Sequence, residues 1–108
     1  MPVYNKLVRD RIPEIIAAGG KTCRTRTLDE AAYRSELLAK LKEESAEYFA
    51  AERPEEALEE LADMLEVMRA LAVTHGVSWE ALEALRERKA EARGGFAERV
   101  YLIDVSDA

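Results

Sequence analysis

One cysteine, Cys23, leaves no internal disulfide. With no second cysteine and no histidine near it in the sequence, it has no partners for a metal site or an activated thiol. Aromatic residues make up only 6% of the 108, while Ala, Leu and Glu abound, which weighs against a β-sandwich and for packed helices. No apolar run approaches the ~20 residues that a membrane span needs. Nothing at the N-terminus resembles a secretory signal, so the expected location is the cytoplasm. The net charge of −6 argues against binding a nucleic-acid polymer, which rests on neutralising phosphates. The length fits one domain over residues 1–108, with a modest core.

That average charge hides an asymmetry. Between Glu43 and Glu66 stand ten acids and one base, Arg53, a local charge of −9 that leaves +3 for the rest of the chain. Such a density of like charge repels itself unless it is solvated or holds a cation.

The spacing of apolar residues predicts an all-α chain of three main helices and a short N-terminal one. Ile12, Ile15 and Ile16 form the short helix, with Pro13 early in it and Gly19-Gly20 ending it. Thr27-Leu28-Asp29-Glu30 reads as a capping box that opens a long helix through Leu37, Leu38, Leu41, Tyr48 and Phe49, ended at Arg53-Pro54. Pro54 opens the next, which carries Leu58, Leu61, Met64, Leu65, Val67, Met68 and Leu71 to His75-Gly76. Ser78 caps the third, with Val77 and Leu82 as a hydrophobic staple, and Gly94-Gly95 breaks it. Thr22–Thr27 and Arg99–Val105 are rich in β-formers and are expected to make a small terminal β element.

At about 100° per residue, Glu44 projects within about 20° of Leu37, at the margin of the apolar sector of its helix, and Glu47 lies on the flank of that face. On the next helix Glu60 points between Val67 and Leu71, with Asp63 about 60° round from it. Ionised carboxylates against a packed face cost several kcal/mol unless compensated. The short connection makes the helices antiparallel. Glu44 and Glu47 lie six to nine residues before Arg53, and Glu60 and Asp63 seven to ten after it, so the two pairs stand at matching heights. Four facing carboxylates cannot all stay ionised unaided, and a hard divalent cation such as Mg²⁺ resolves the conflict while keeping positions for water and phosphate. Most acid pairs at this spacing are only solvated faces; that is the preferred reading of Glu43, Glu52, Glu55, Glu59 and Glu66.

Glu43-Glu44-Ser45-Ala46-Glu47 followed by Glu59-Glu60-Leu61-Ala62-Asp63 resembles the ExxE…ExxD signature of the all-α nucleoside triphosphate pyrophosphatase superfamily. The segment from Tyr4 to Pro13, and Lys89 with Arg93-Gly94-Gly95-Phe96, resemble its compact MazG-like, phosphoribosyl-ATP pyrophosphohydrolase-like branch. The resemblance covers nearly the whole chain. It implies a helical bundle and Mg²⁺-dependent (or Mn²⁺-dependent) cleavage of a nucleotide between the α- and β-phosphates, releasing pyrophosphate. Glu44, Glu47, Glu60 and Asp63 would hold the metal, with Glu44 or Glu47 accepting a proton from the attacking water.

Lys6, Arg9 and Arg11 lie on a basic segment that must pack near the acidic helices, and Lys89 and Arg93 share one helix face at i, i+4. Singly each reads equally well as a surface ion-pair partner; as a group the resemblance makes them the phosphate contacts. Gly94-Gly95 follows a helix and lacks the Lys-Ser/Thr of a phosphate loop, so it is a turn. His75 reads as a helix-end residue, and Trp79, Met64 and Met68 as packing. The rival function is a non-catalytic module, either a nucleotide sensor that keeps the metal or a purely structural acidic bundle. Finally, the Leu61/Met68 helix is apolar over half its circumference, more than a monomer covers, so a homodimer or higher homo-oligomer is expected.

Overall fold

The apolar periodicity resolves into four helices in the computed structural model, which describes residues 2–107: α1 (Ile12–Ala18), α2 (Glu30–Ala50), α3 (Pro54–Thr74) and α4 (Trp79–Arg93). Their ends are set locally. Pro13 and Pro54 sit in first turns, where a missing N–H costs nothing. Asp29, not Thr27, caps α2: its carboxylate accepts from the Ala32 N–H at 2.8 Å, and the Tyr33 N–H bonds the Asp29 carbonyl at 2.9 Å. The helix therefore opens later than the capping box implied, because a charged cap also meets the helix dipole favourably. After the end of α3, Gly76 turns the chain at φ 79°. Its N–H bonds the Val73 carbonyl, and the Val77 N–H reaches back to Ala72, closing α3 in a Schellman motif. Ser78 then caps α4 by accepting from the Ala81 N–H at 3.1 Å.

Helices α2 and α3 form the centre of the molecule, an antiparallel hairpin. Arg34, near the start of α2, donates to the carbonyl of Thr74 at the end of α3 (2.8 Å). Leu37, Val67 and Ala72 are the buried apolar residues between them. Helix α4 packs against α3 alone, and α1 lies against no other helix. Other residues of the periodic stripes stay outside: Leu38, Leu58, Leu65 and Phe49 are exposed, Phe49 by 82%.

No strand forms among the described residues. Residues 22–27 run as exposed coil, and so do residues 100–105, where Tyr101 and Ile103 are almost fully open. The expected terminal β element is thus corrected. A strand needs a ladder partner and a covered face, and a lone two-stranded ribbon is marginal even when its residues favour β. Arg99 at φ 60° also breaks the extended run where it starts.

The chain is open in shape. Its radius of gyration is 18.7 Å, against about 13 Å for a compact domain of this length. It exposes 9845 Å², where a folded monomer of 12.1 kDa exposes about 6,000 Å². No helix is long and apolar enough to cross a membrane among the described residues.

Candidate metal and nucleotide site

The hairpin carries the acidic residues to one place. Glu44 and Glu47 from α2 and Glu60 from α3 each bring a carboxylate oxygen into a group whose members all lie within 4.8 Å of one another. Glu44 is 6% exposed, the one buried charged residue among those described. Its Oε1 lies 3.6 Å from Lys40 Nζ, whereas its Oε2, like Oε2 of Glu60, is buried with no hydrogen-bond partner. Glu47 is exposed and opens onto a cleft lined also by Ala50, Ala51, Glu56, Glu59 and Glu60.

Two carboxylates cannot hydrogen-bond without a proton between them. Hydrogen bonds to Glu44 and then Glu47, followed by lost hydration and the repulsion of both neighbours' charges, raise the Glu60 carboxyl from its ordinary 4.5 to about 8. Near neutral pH Glu60 therefore keeps its proton. A divalent cation does the same work better. Octahedral ligands at about 2.1 Å stand about 3.0 Å apart when adjacent and about 4.2 Å when opposite, so the 4.8 Å group needs only a small contraction. The oxygen-only donor set and the orphaned inner oxygens fit a hard cation of the Mg²⁺ class.

Asp63 stands apart from the other three. Its Oδ1 accepts from Arg9 Nη2 at 2.6 Å. Lys6 reaches Glu43 at 3.7 Å, so the N-terminal segment touches both helices of the hairpin at the level of the acids. Arg11 is turned to Glu14 (3.2 Å). Lys89 and Arg93 lie on the last two turns of α4 and form no ion pair with the carboxylate group. Lys40 is the residue that sequence reasoning missed. It contacts Glu43 and Glu44 at 3.4 and 3.6 Å, and the signal for it was the i, i+4 spacing to Glu44.

A helical hairpin that sets ExxE across from ExxD places the chain among the all-α MazG-like nucleoside triphosphate pyrophosphatases. Within that superfamily the chain belongs to the phosphoribosyl-ATP pyrophosphohydrolase family, whose sequence model matches residues 6–90. It is also similar to an uncharacterized protein of Mycolicibacterium smegmatis, with 54% identity over 54 residues; the match takes in 50% of this chain and 55% of that protein. The match thus spans about half the length of this curated relative. No solved structure matches the chain.

Proposed function

We propose that the protein is a Mg²⁺-dependent pyrophosphohydrolase that cleaves a nucleoside triphosphate or a phosphoribosyl nucleotide between the α- and β-phosphates and releases pyrophosphate. The observation that carries this reading is Glu44: a 94%-buried carboxylate, with an unpartnered inner oxygen facing two further carboxylates. A structural role alone gives no reason to concentrate that repulsion in so small a core.

Glu44, Glu47, Glu60 and Asp63 hold the metal. A bound Mg²⁺ supplies charge to the phosphates and lowers the pKa of water beside it. Glu47 takes the proton of the attacking water, since it opens onto the cleft and has no cation within 4 Å among the described residues, whereas Glu44 is engaged by Lys40. The water oxygen bonds to the α-phosphorus, the bond from that phosphorus to the bridging oxygen breaks, and pyrophosphate leaves with the electron pair. Lys6 and Arg9 stand beside the carboxylates and neutralise the leaving group; Arg11, Lys89 and Arg93 extend the phosphate cradle, the last two from a second chain.

The open shape supports that second chain. The excess of exposed surface is several times the ~800 Å² that each partner buries in a standard interface. Leu58, Leu61 and Leu65 lie exposed along α3. An isologous pairing through the Leu61/Met68 face covers them, as a homodimer or within a larger homo-oligomer.

The test is pyrophosphate release with and without Mg²⁺ over a panel of standard, modified and phosphoribosyl nucleotides. Release that needs the metal and disappears in Glu44→Gln is the expected result. Nucleotide binding with no release by the wild type would turn the reading to a sensor.

A further inference from the structure

Asp63 is three residues beyond Glu60 on α3 and belongs to the same ExxD pair, yet its carboxylate is not among the three that converge. Arg9 holds it. The guanidinium comes from a segment tethered twice, by Lys6 to Glu43 on α2 and by Arg9 to Asp63 on α3. Just ahead, Asn5 takes φ 45°, a turn that asparagine tolerates better than most residues. Both partners of the Arg9–Asp63 pair are partly open to solvent, with side chains 55% and 37% exposed. Pairs of this kind are worth a factor of about 1.4 to 5 in an equilibrium constant, weak enough to exchange. Only Nη2 of Arg9 is engaged, so the rest of its fork has no acceptor among the described residues. A planar guanidinium with free N–H groups suits a phosphate better than one carboxylate oxygen.

We infer that Arg9 is a positioning residue that shares Asp63 with the metal: it holds the carboxylate while no cation is bound, and releases it when a polyphosphate takes the guanidinium. This rests on the metal reading above. Metal and polyphosphate then favour one another's binding through Arg9, and the coupling is reciprocal. Arg9 opposes the metal and assists the phosphate, and a residue with a merely structural role has no reason to act in opposite directions on the two.

The experiment uses the full chain with two probes: Mn²⁺ alone, followed by the paramagnetic resonance of the free ion, and inorganic tripolyphosphate at saturating Mn²⁺, which needs no base specificity. In Arg9→Ala, Mn²⁺ should bind about two- to fivefold more tightly, and tripolyphosphate about tenfold more weakly. Arg9→Lys should keep most of the wild-type Mn²⁺ affinity. In an Asp63→Asn background, Arg9→Ala should no longer tighten Mn²⁺ binding. Lys6→Ala removes the same charge from a carboxylate outside the metal group, and should tighten binding less. Equal tightening in Lys6→Ala, or tightening that persists with Asp63→Asn, reduces Arg9 to a diffuse field and overturns the exchange. Unchanged or weaker Mn²⁺ binding in Arg9→Ala overturns it too, provided Glu44→Gln still loses the ion. If Glu44→Gln binds Mn²⁺ like the wild type, the metal reading itself falls, and the exchange with it.

Discussion

The two faces of the central hairpin invert the usual order of protein packing. On one, a charged residue, Glu44, is 6% exposed; on another, Leu58, an apolar residue of the partner helix, is 66% exposed. Burying a carboxylate costs several kcal/mol and exposing a leucine forgoes about 2 kcal/mol, so neither face serves the stability of the isolated chain. The contrast separates two demands. On the function proposed above, the acidic face serves a metal ion and the leucine face a second chain. Each can be broken separately.

The largest effect should come from the acidic face. Glu44→Gln leaves the shape of the side chain and removes its charge; turnover should fall by about 10²-fold or more, since even residues that only orient metal ligands cost 10–100-fold when lost. Metal-free stability should hold or rise. Glu60→Gln should raise it most clearly, measured as Tm at pH 8 or above without metal, because it removes the group that is hardest to ionise. Asp63→Asn should differ from both. Its carboxylate is paired with Arg9 rather than with the other acids, so metal-free stability should stay within about 1 kcal/mol of wild type while activity collapses. A large stability loss with normal turnover in any of the three would return the acids to a structural role.

The leucine face comes next. Leu61→Glu with Leu65→Glu places two charges on the exposed side of α3. Light scattering should move from a multiple of 12.1 kDa towards the single chain, with a lower Tm and loss of activity if Lys89 and Arg93 act across the interface. A wild-type chain that is already monomeric and fully active would remove both the oligomer and the shared site.

A pH series sharpens the comparison without any mutation. The folded Glu60 titrates at about 8 and an unperturbed glutamate at 4.5, so between those values the folded chain binds more protons than the unfolded one. Its contribution to stability is complete below about 4.5 and is lost as pH rises through about 8. Metal-free Tm should therefore decline over that window, while affinity for Mg²⁺ rises with pH as the competing proton leaves. Glu60→Gln should flatten both trends. The smallest effect belongs to the caps, away from either face. Asp29→Ala and Ser78→Ala should each cost about 1 kcal/mol, or roughly 4–8 °C in Tm, with kcat unchanged.

The caps mark how far sequence alone reached. Pro13, Pro54, Gly76, Ser78 and Gly94 act on neighbours within about five residues, so all four helices were legible, and the start of α2 was displaced only to Asp29. The register of Glu44, Glu47 and Glu60 was equally legible, because a fixed rise and rotation per residue and a short connection leave the two helices little freedom. Residues 22–27 and 99–105 misled because β-propensity states what a residue does beside a partner, and among the described residues no strand stands beside them. The pairing of Arg9 with Asp63 spans 54 positions and arises on a segment with no periodicity, so nothing local encoded it. Sequence by itself determined the four helices, the belonging to the MazG-like pyrophosphatases and the convergence of three carboxylates, all consequences of short-range geometry. Only the tertiary structure decided that the fourth carboxylate is held by an arginine and that Leu58, Leu61 and Leu65 of α3 stay uncovered, because each depends on how distant segments pack rather than on what any of them prefers alone.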